Sequence, residues 1–274
     1  MYPYTLFWDI TLYDILIIIG IAAAFVVFLL YTKKTALPKQ LQILVLISAL
    51  IGVALGFVAA GLTQSIYFLI ETGTFEWRGM TFYGGLVGGA ACFLGAYFLG
   101  GYLMFRKTQT PKLHLEFAMR SFGIVICAVT LAHAIGRIGC LTAGCCHGTT
   151  YATKRGGTLP LHHISEDGEL LYTDYAVPIP LFEMAFLLGL FALLSWLVLK
   201  GRGEALPLYM ILYGIWRFGI EFARADDRGE TFIKALTPSQ LTALLMIIGG
   251  AALLIVYYKV IKKRESAASS REEA

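Results

Sequence analysis

His133-Ala-Ile-Gly-Arg137-Ile-Gly-Cys140-Leu-Thr-Ala-Gly-Cys145-Cys146-His147-Gly148 closes a long apolar run of the chain. The run is roughly twenty residues long, which is enough to cross the hydrocarbon core of a bilayer. Its end carries an arginine, three thiols and two imidazoles. Because charge is costly in lipid, a charged residue at this depth indicates a functional site. The stretch therefore predicts a membrane helix with a polar site at one end.

The composition extends this prediction to the whole chain. Hydrophobic residues make up 58% of the sequence, charged residues 15%, and the mean hydropathy is +0.71. A soluble domain has about 25% charged residues. We therefore predict an all-α, polytopic membrane helix bundle forming a single domain over residues 1–264, followed by a disordered cytoplasmic tail, 265–274. Seven apolar runs are long enough to span a bilayer: 10–31, 41–70, 82–105, 119–141, 180–199, 205–223 and 238–261.

The distribution of basic residues predicts the orientation of these spans. Lysine and arginine collect in cytoplasmic loops, and alternate loops of this chain carry most of them. The N-terminus is therefore predicted outside, the C-terminus inside, and the long loop 142–179 outside. The first run is too long for a signal-peptide core and lacks a cleavage site, so we interpret it as a retained span. Topology explains the net charge of +4 without a nucleic-acid partner.

Arginines recur near the outer ends of two predicted spans. Arg137 ends the fourth span, while Arg217, Glu221 and Arg224 follow a spacing of four and then three in the sixth. This spacing places the three residues on one helix face. Guanidinium groups bind phosphate bidentately, so one hypothesis is a phospholipid phosphate site. The alternative is a structural Arg217–Glu221 ion pair, with Arg224 reaching the interface.

Glycines and tyrosines near the outer ends allow two interpretations each. Tyr83, at the start of the third span, is a candidate base or phosphate donor, or an interfacial anchor. Tyr13 in the first span has the same two readings. Gly84 and Gly85 would let a lipid approach the backbone closely, whereas Gly88 and Gly89 are typical of close helix packing.

The outer cysteines leave three alternatives open. Cys140, Cys145 and Cys146 lie near His133 and His147 in sequence, and His162 and His163 follow in the same loop. A disulfide, packing thiols, or a catalytic or metal role are all compatible with this pattern. The spacing matches no standard zinc motif, so no metal is assigned. Cys92 and Cys127 are interpreted as packing residues.

The motifs resemble those of one family, the bacterial prolipoprotein diacylglyceryl transferases. Gly136-Arg137-Ile138-Gly139-x-x-x-x-Gly144-x-x-x-Gly148 is similar to the family signature. A second match is Leu212-Tyr213-Gly214-x-x-Arg217-Phe218-x-x-Glu221-Phe222-x-Arg224-x-Asp226, and weaker ones lie at 82–86 and 178–183. The resemblance implies transfer of a diacylglyceryl group from phosphatidylglycerol to the lipobox cysteine of a precursor lipoprotein in the bacterial inner membrane, without a cofactor. It also implies that Arg137 and Arg217 lie near the lipid phosphate and that Tyr13, Glu221 and Arg224 are functional positions. We further predict that Gly84, Gly85, Gly139 and Gly148 contribute to lipid binding.

The chain departs from the family pattern at three positions. Tyr83 stands where the family has a histidine, Cys140 where it has an asparagine, and Cys145 where it has a glutamate. A tyrosine is a poorer base near neutral pH than the histidine it replaces. Tyr83, His133 or His147 is therefore the candidate that assists deprotonation of the acceptor. Two alternatives remain: another lipid or acceptor, with a covalent step on a cysteine, or a metal- or lipid-binding protein without this activity.

Overall fold

The computed structural model describes residues 5–7, 10–77, 79–165, 169–225 and 235–261, and these residues are mostly helical. Among these described residues, six helices are long and apolar enough to cross a membrane. Large apolar side chains such as Ile18, Val87 and Leu245 are exposed on their surfaces, as expected where the solvent is lipid. The chain is a multi-pass membrane protein. Its helices are α1 (Leu12–Lys34), α2 (Lys39–Thr72), α3 (Phe82–Phe105), α4 (Leu113–Glu116), α5 (Ala118–Ala143), α6 (Ile179–Leu199), α7 (Ala205–Ile220) and α8 (Pro238–Val256).

The sixth predicted span, 205–223, differs from the others. It corresponds to α7, which has only 16 residues and continues as a 3-10 turn, Glu221–Ala223. That length is below the roughly 20 residues of a typical span. The count of seven spans and the predicted orientation therefore remain predictions. The predicted tail, 265–274, lies outside the described residues.

Two helix starts are fixed by reciprocal caps. The Thr11 hydroxyl accepts a hydrogen bond from the Asp14 amide while the Asp14 carboxylate accepts from the Thr11 amide, at the start of α1. Thr237 and Gln240 repeat the arrangement at the start of α8. Such capping boxes satisfy amide groups that the helix itself leaves unpaired.

The chain forms two compact units, one of residues 1–35 with 122–274 and one of residues 36–121. In the second unit α2 packs against α3 through glycines. A Cβ at Gly89 would lie 3.0 Å from the Gly52 carbonyl oxygen, and one at Gly85 3.2 Å from the Ala60 Cβ. Gly84 faces Thr63 in the same way. The prediction of close packing for Gly89 is confirmed, and it extends to Gly84 and Gly85. Whether residues 1–264 act as a single domain stays a prediction.

The predicted outer loop, 142–179, has secondary structure of its own. It contains β3 (Thr150–Tyr151), β4 (Leu159–Ile164) and β5 (Leu170–Ala176), in the order β3-β5-β4 with antiparallel pairing. A two-stranded sheet, β1 (Thr5–Phe7) with β2 (Ile10–Thr11), precedes α1. The helical fold class is confirmed, and these sheets are an addition that the hydropathy pattern does not reveal.

Candidate active site

A buried carboxylate on α6 holds Arg137. The Arg137 Nη2 lies 2.9 Å from Glu183 Oε1, and the side chain of Glu183 is 0% exposed. The Tyr213 hydroxyl donates to the same oxygen at 2.9 Å, and His133 Nε2 lies 3.9 Å from it. Side chains from α5, α6 and α7 therefore converge on one carboxylate oxygen.

A second buried carboxylate holds Arg217. The Arg217 Nη1 lies 2.7 Å from Glu221 Oε2, and both side chains are at most 10% exposed. Arg217 Nη2 donates to the Ser239 hydroxyl at 2.6 Å, and the Thr237 hydroxyl donates to Glu221 Oε1 at 2.7 Å. The start of α8 therefore orients both members of the pair. The predicted Arg217–Glu221 ion pair is present.

The prediction that Arg224 shares the helix face of Arg217 is wrong. Helix α7 ends at Ile220 and tightens into the 3-10 turn, after which Arg224 is extended, with φ −86° and ψ 148°. Helical spacing no longer applies there. The backbone of Arg224 instead forms an antiparallel bridge with Gly148.

This bridge joins the two sequence motifs at Gly148. The Gly148 amide donates to the Val177 carbonyl at 2.9 Å, and the Ala225 amide donates to the His147 carbonyl at 3.5 Å. A Cβ at position 148 would lie only 2.7 Å from the Ala223 carbonyl oxygen. Only glycine lets the backbone after α5 approach the backbone after α7 this closely.

We expect Gly148→Ala to separate the two motifs. The added methyl meets a backbone carbonyl that cannot rotate away, and such overpacking costs about 1–3 kcal/mol. Thermal unfolding in detergent should therefore shift downwards. Gly156→Ala, in the same loop and with nothing within 4 Å of its Cβ, is the matched control. Equal unfolding temperatures for the two variants would contradict this role of Gly148.

The guanidinium groups of Arg137 and Arg217 share electrostatic neighbours, and Arg137 keeps a donor that could bind an anion. His133 and Tyr213 each interact electrostatically with both Arg137 and Arg217. Among the described residues, Arg137 Nε is buried without a hydrogen-bond partner. A buried unsatisfied donor costs on the order of 1–3 kcal/mol, and more when it is charged. An anionic ligand beside Arg137 would remove this cost.

The thiols of Cys140, Cys145 and Cys146 form a cluster. The sulfur atoms of Cys140, Cys145 and Cys146 all lie within 4.8 Å of one another. Cys140 lies in the last turn of α5, and Gly144 turns the chain with φ +74° before the other two. Arg137 Nη1 lies 3.8 Å from the Cys140 sulfur. Hydrogen bonds with Cys140 and Cys145, and then the Arg224 guanidinium, hold the pKa of the Cys146 thiol well below its usual range. All five cysteines of the chain are thiols in the structure.

The candidate histidines lie apart from this cluster. His147 Nδ1 is 2.8 Å from the Gly148 carbonyl oxygen, and His133 faces Glu183. His162 Nδ1 is 2.9 Å from the Thr173 hydroxyl, while His163 Nε2 is 3.4 Å from Asp174. In the part of the chain that the structure describes, the group that could hold a metal contains sulfur ligands alone.

The two candidate tyrosines, Tyr13 and Tyr83, lie near the starts of α1 and α3. Tyr13 packs on α5, where a Cβ at Gly139 would lie 3.0 Å from its ring. Gly139 therefore lets the first and fourth predicted spans meet. Tyr83 begins α3, and its side chain is outside the described part of the chain. The roles predicted for Tyr13, Tyr83, Gly84, Gly85 and Gly139 remain predictions.

Four residues of this site were missed as site residues from the sequence. Glu183 was visible as a carboxylate in an apolar span, a signal that usually marks a polar partner. Tyr213, Ser239 and Thr237 carry no such signal, because serine and threonine hydroxyls usually bond to nearby backbone groups and tyrosines are common as interfacial anchors in membrane proteins.

Comparison with known proteins agrees with these motifs. A family model described as prolipoprotein diacylglyceryl transferase matches residues 4–256. Phosphatidylglycerol–prolipoprotein diacylglyceryl transferase 2 of Clostridium perfringens is 33% identical over 62% of this chain and 59% of that protein. The corresponding protein of Clostridium tetani is 30% identical over 61% and 59%, and that of Dehalococcoides mccartyi strain 195 is 28% identical over 74% and 72%. The match thus spans less than two thirds of the clostridial relatives. The family match runs through both arginine motifs, and the chain belongs to the prolipoprotein diacylglyceryl transferase family.

Proposed function

We propose that this protein transfers the diacylglyceryl group of phosphatidylglycerol to the lipobox cysteine thiol of a precursor lipoprotein. The observation that carries the proposal is a pair of arginines, the half-buried Arg137 and the buried Arg217, each held by its own carboxylate. They belong to two motifs that are joined at Gly148, in a membrane protein of this family. The relatives bear the name of this reaction.

The reaction requires stabilisation of a phosphate leaving group. The acceptor sulfur forms a bond to the glycerol carbon that carries the phosphate, and the carbon–oxygen bond to the phosphate breaks. Glycerol phosphate departs with the electron pair, and the acceptor loses its proton. The phosphate gains negative charge as this bond breaks. Preorganised guanidinium groups in a dry site stabilise such developing charge strongly.

The paired carboxylates are compatible with phosphate binding. Glu183 engages Nη2 of Arg137, and the buried Nε–H of Arg137 has no hydrogen-bond partner among the described residues, so it can donate to an oxyanion. Glu221 and Ser239 fix the plane of Arg217. A guanidinium held in one plane loses little entropy when it binds phosphate bidentately.

The proposal includes the predicted topology. Seven spans with the N-terminus outside put the loop 142–179, and with it the outer ends of the arginine-bearing helices, on the external side of the bacterial inner membrane. A precursor lipoprotein would reach the site from that side. Alkaline phosphatase fused after Thr149 should be active, and a fusion after Arg202 should be inactive. The reverse pattern would contradict the orientation.

Mass spectrometry of a lipobox peptide tests the reaction. The purified full-length protein is incubated with the peptide and phosphatidylglycerol, and both the peptide mass and the released glycerol phosphate are measured. We expect a diacylglyceryl adduct on the cysteine with an equal amount of glycerol phosphate. A peptide with serine in place of cysteine controls for the acceptor, and phosphatidylcholine controls for the headgroup.

Two outcomes would overturn the proposal. One is folded protein that forms no adduct and releases no glycerol phosphate. The other is glycerol phosphate released without the peptide acceptor, which would indicate a different acceptor on the same fold. Arg155→Gln is the matched arginine control, because this exposed side chain lies over the Tyr151 ring, 4.1 Å from its centroid. This variant should transfer at the wild-type rate.

A further inference from the structure

The thiol cluster of Cys140, Cys145 and Cys146 has the geometry of a metal site. Zinc binds thiolates at about 2.3 Å, which separates the sulfurs of a tetrahedral site by about 3.8 Å. The three sulfurs already lie within 4.8 Å of one another. Small side-chain rotations would therefore bring them to bonding distance around one ion.

The local backbone brings the thiols together. The Cys145 amide donates to the Cys140 carbonyl at 3.1 Å, and the Cys145 thiol approaches the same oxygen at 3.6 Å. Cys146 holds a positive φ of 60°, a conformation that is uncommon for residues other than glycine. This turn points three sulfurs into one place.

The surrounding charge suits bound thiolates. Three thiolates with one Zn²⁺ carry a net charge of −1. Arg137 Nη1 lies 3.8 Å from the Cys140 sulfur, and the Arg224 guanidinium hydrogen-bonds to Cys146. Outer groups of this kind orient metal ligands and balance their charge. Arg137 and Arg224 would therefore offset the negative charge of a zinc–thiolate centre.

The cluster supplies three ligands, which leaves the fourth tetrahedral position open. The Cys145 side chain is exposed, whereas those of Cys140 and Cys146 are half-buried, so the cluster is reachable from outside. Neither nearby imidazole fills the fourth position, because among the described residues the clustered ligand atoms are the three sulfurs alone. Three protein ligands and one open position are typical of catalytic zinc.

The geometry points to the acceptor as the missing ligand. We propose that Cys140, Cys145 and Cys146 bind Zn²⁺, and that the zinc binds the acceptor cysteine of the precursor as a thiolate. This inference rests on the proposed function. The zinc would deprotonate the acceptor thiol, since a thiol coordinated to zinc is deprotonated outright. It would thereby take the place of the family's histidine, where this chain carries Tyr83.

The zinc step balances without any change of oxidation state. The acceptor thiol displaces a zinc-bound water and releases its proton to solvent. The bound sulfur then forms the bond to the glycerol carbon beside Arg137, and the carbon–oxygen bond to the phosphate breaks with the electron pair leaving on glycerol phosphate. The product is a thioether, a much weaker ligand than a thiolate. It dissociates, and water returns to the zinc.

Elemental analysis and X-ray absorption test the site without depending on activity. We expect about one zinc per chain, with three sulfur neighbours at about 2.3 Å. Cys145→Ser and Cys146→Ser should each lower the zinc content at least tenfold. Cys92→Ser, which alters a half-buried cysteine of α3 outside the cluster, should retain it. Adding the lipobox peptide should raise the sulfur count to four, and the serine peptide should leave it at three.

The outcomes separate this inference from the proposed function. Zinc-free protein that transfers at the full rate overturns the inference and leaves the function standing. Thiols that react with a labelling reagent only after reduction indicate a disulfide and overturn it as well, as does copper found in place of zinc. Four sulfurs in the presence of peptide, without adduct formation from phosphatidylglycerol, support the zinc site and overturn the proposed donor.

Discussion

Arg137→Gln should lower the rate of diacylglyceryl transfer by roughly 10²–10³-fold, the effect of removing one preorganised donor from a developing oxyanion. It should also destabilise the protein. The substitution leaves Glu183 fully buried without its cationic partner, and breaking a buried pair in this way costs about 3–5 kcal/mol. Transfer is measured by the peptide assay, and stability by thermal unfolding in detergent.

The double variant Arg137→Gln/Glu183→Gln separates the two effects. Glutamine at position 183 removes the uncompensated charge and can still accept the hydrogen bond from Tyr213. We therefore expect the double variant to unfold near the wild-type temperature while transfer stays low. Recovery of transfer together with stability would show that Arg137 has a structural role alone.

The chain offers a matched control for this pair. Glu204 is also a buried carboxylate, bonded to Arg202 at 3.3 Å and to the Tyr258 hydroxyl at 3.0 Å, just before the start of α7. Arg202 is 45% exposed, so solvent screens this pair and its loss should destabilise less. Arg202→Gln should transfer at the wild-type rate. A loss equal to that of Arg137→Gln would contradict a specific role for Arg137.

Much of the fold follows from the apolar periodicity of the chain. The boundaries of α1, α3, α5 and α6 lie within a few residues of the predicted spans, because long apolar runs have few alternatives to helix in lipid. The sheet in the loop 142–179 was not predicted, although the sequence Asp167-Gly168 between the paired strands β4 and β5 is typical of a hairpin turn. The prediction from sequence spacing was also wrong for Arg224, because α7 ends at Ile220.

The arginines of the site could be predicted, but their partners could not. Arg137 and Arg217 stand out because charge is rare in apolar spans. The sequence does not say that Arg137 pairs with Glu183, 46 positions away, or that Ser239 receives Arg217. Such contacts depend on how helices pack, which one sequence leaves undetermined. The three thiols were visible as a group, but their distances were not.

A second large effect is expected at Arg217. Arg217→Gln should lower transfer by roughly 10²–10³-fold, for the same electrostatic reason as at Arg137. Arg217→Lys keeps the charge but lacks the planar fork that bonds Glu221 and Ser239 while presenting an edge to phosphate. We therefore expect Arg217→Lys to unfold at a higher temperature than Arg217→Gln yet to transfer far more slowly than the wild type.

Ser239→Ala tests whether the orientation of Arg217 matters in addition to its charge. The serine hydroxyl accepts from Arg217 Nη2 at 2.6 Å, and a hydrogen bond to a charged group contributes about 1.5–3 kcal/mol. If that free energy is expressed in the transition state, transfer falls by roughly 10- to 100-fold. Ser48→Ala is the matched control, because the buried Ser48 hydroxyl bonds to the Leu44 carbonyl of its own helix. Transfer rates that respond to Ser239 but not to Ser48, at similar unfolding temperatures, would make Ser239 a positioning residue. Equal rates would leave Arg217 acting through its charge alone.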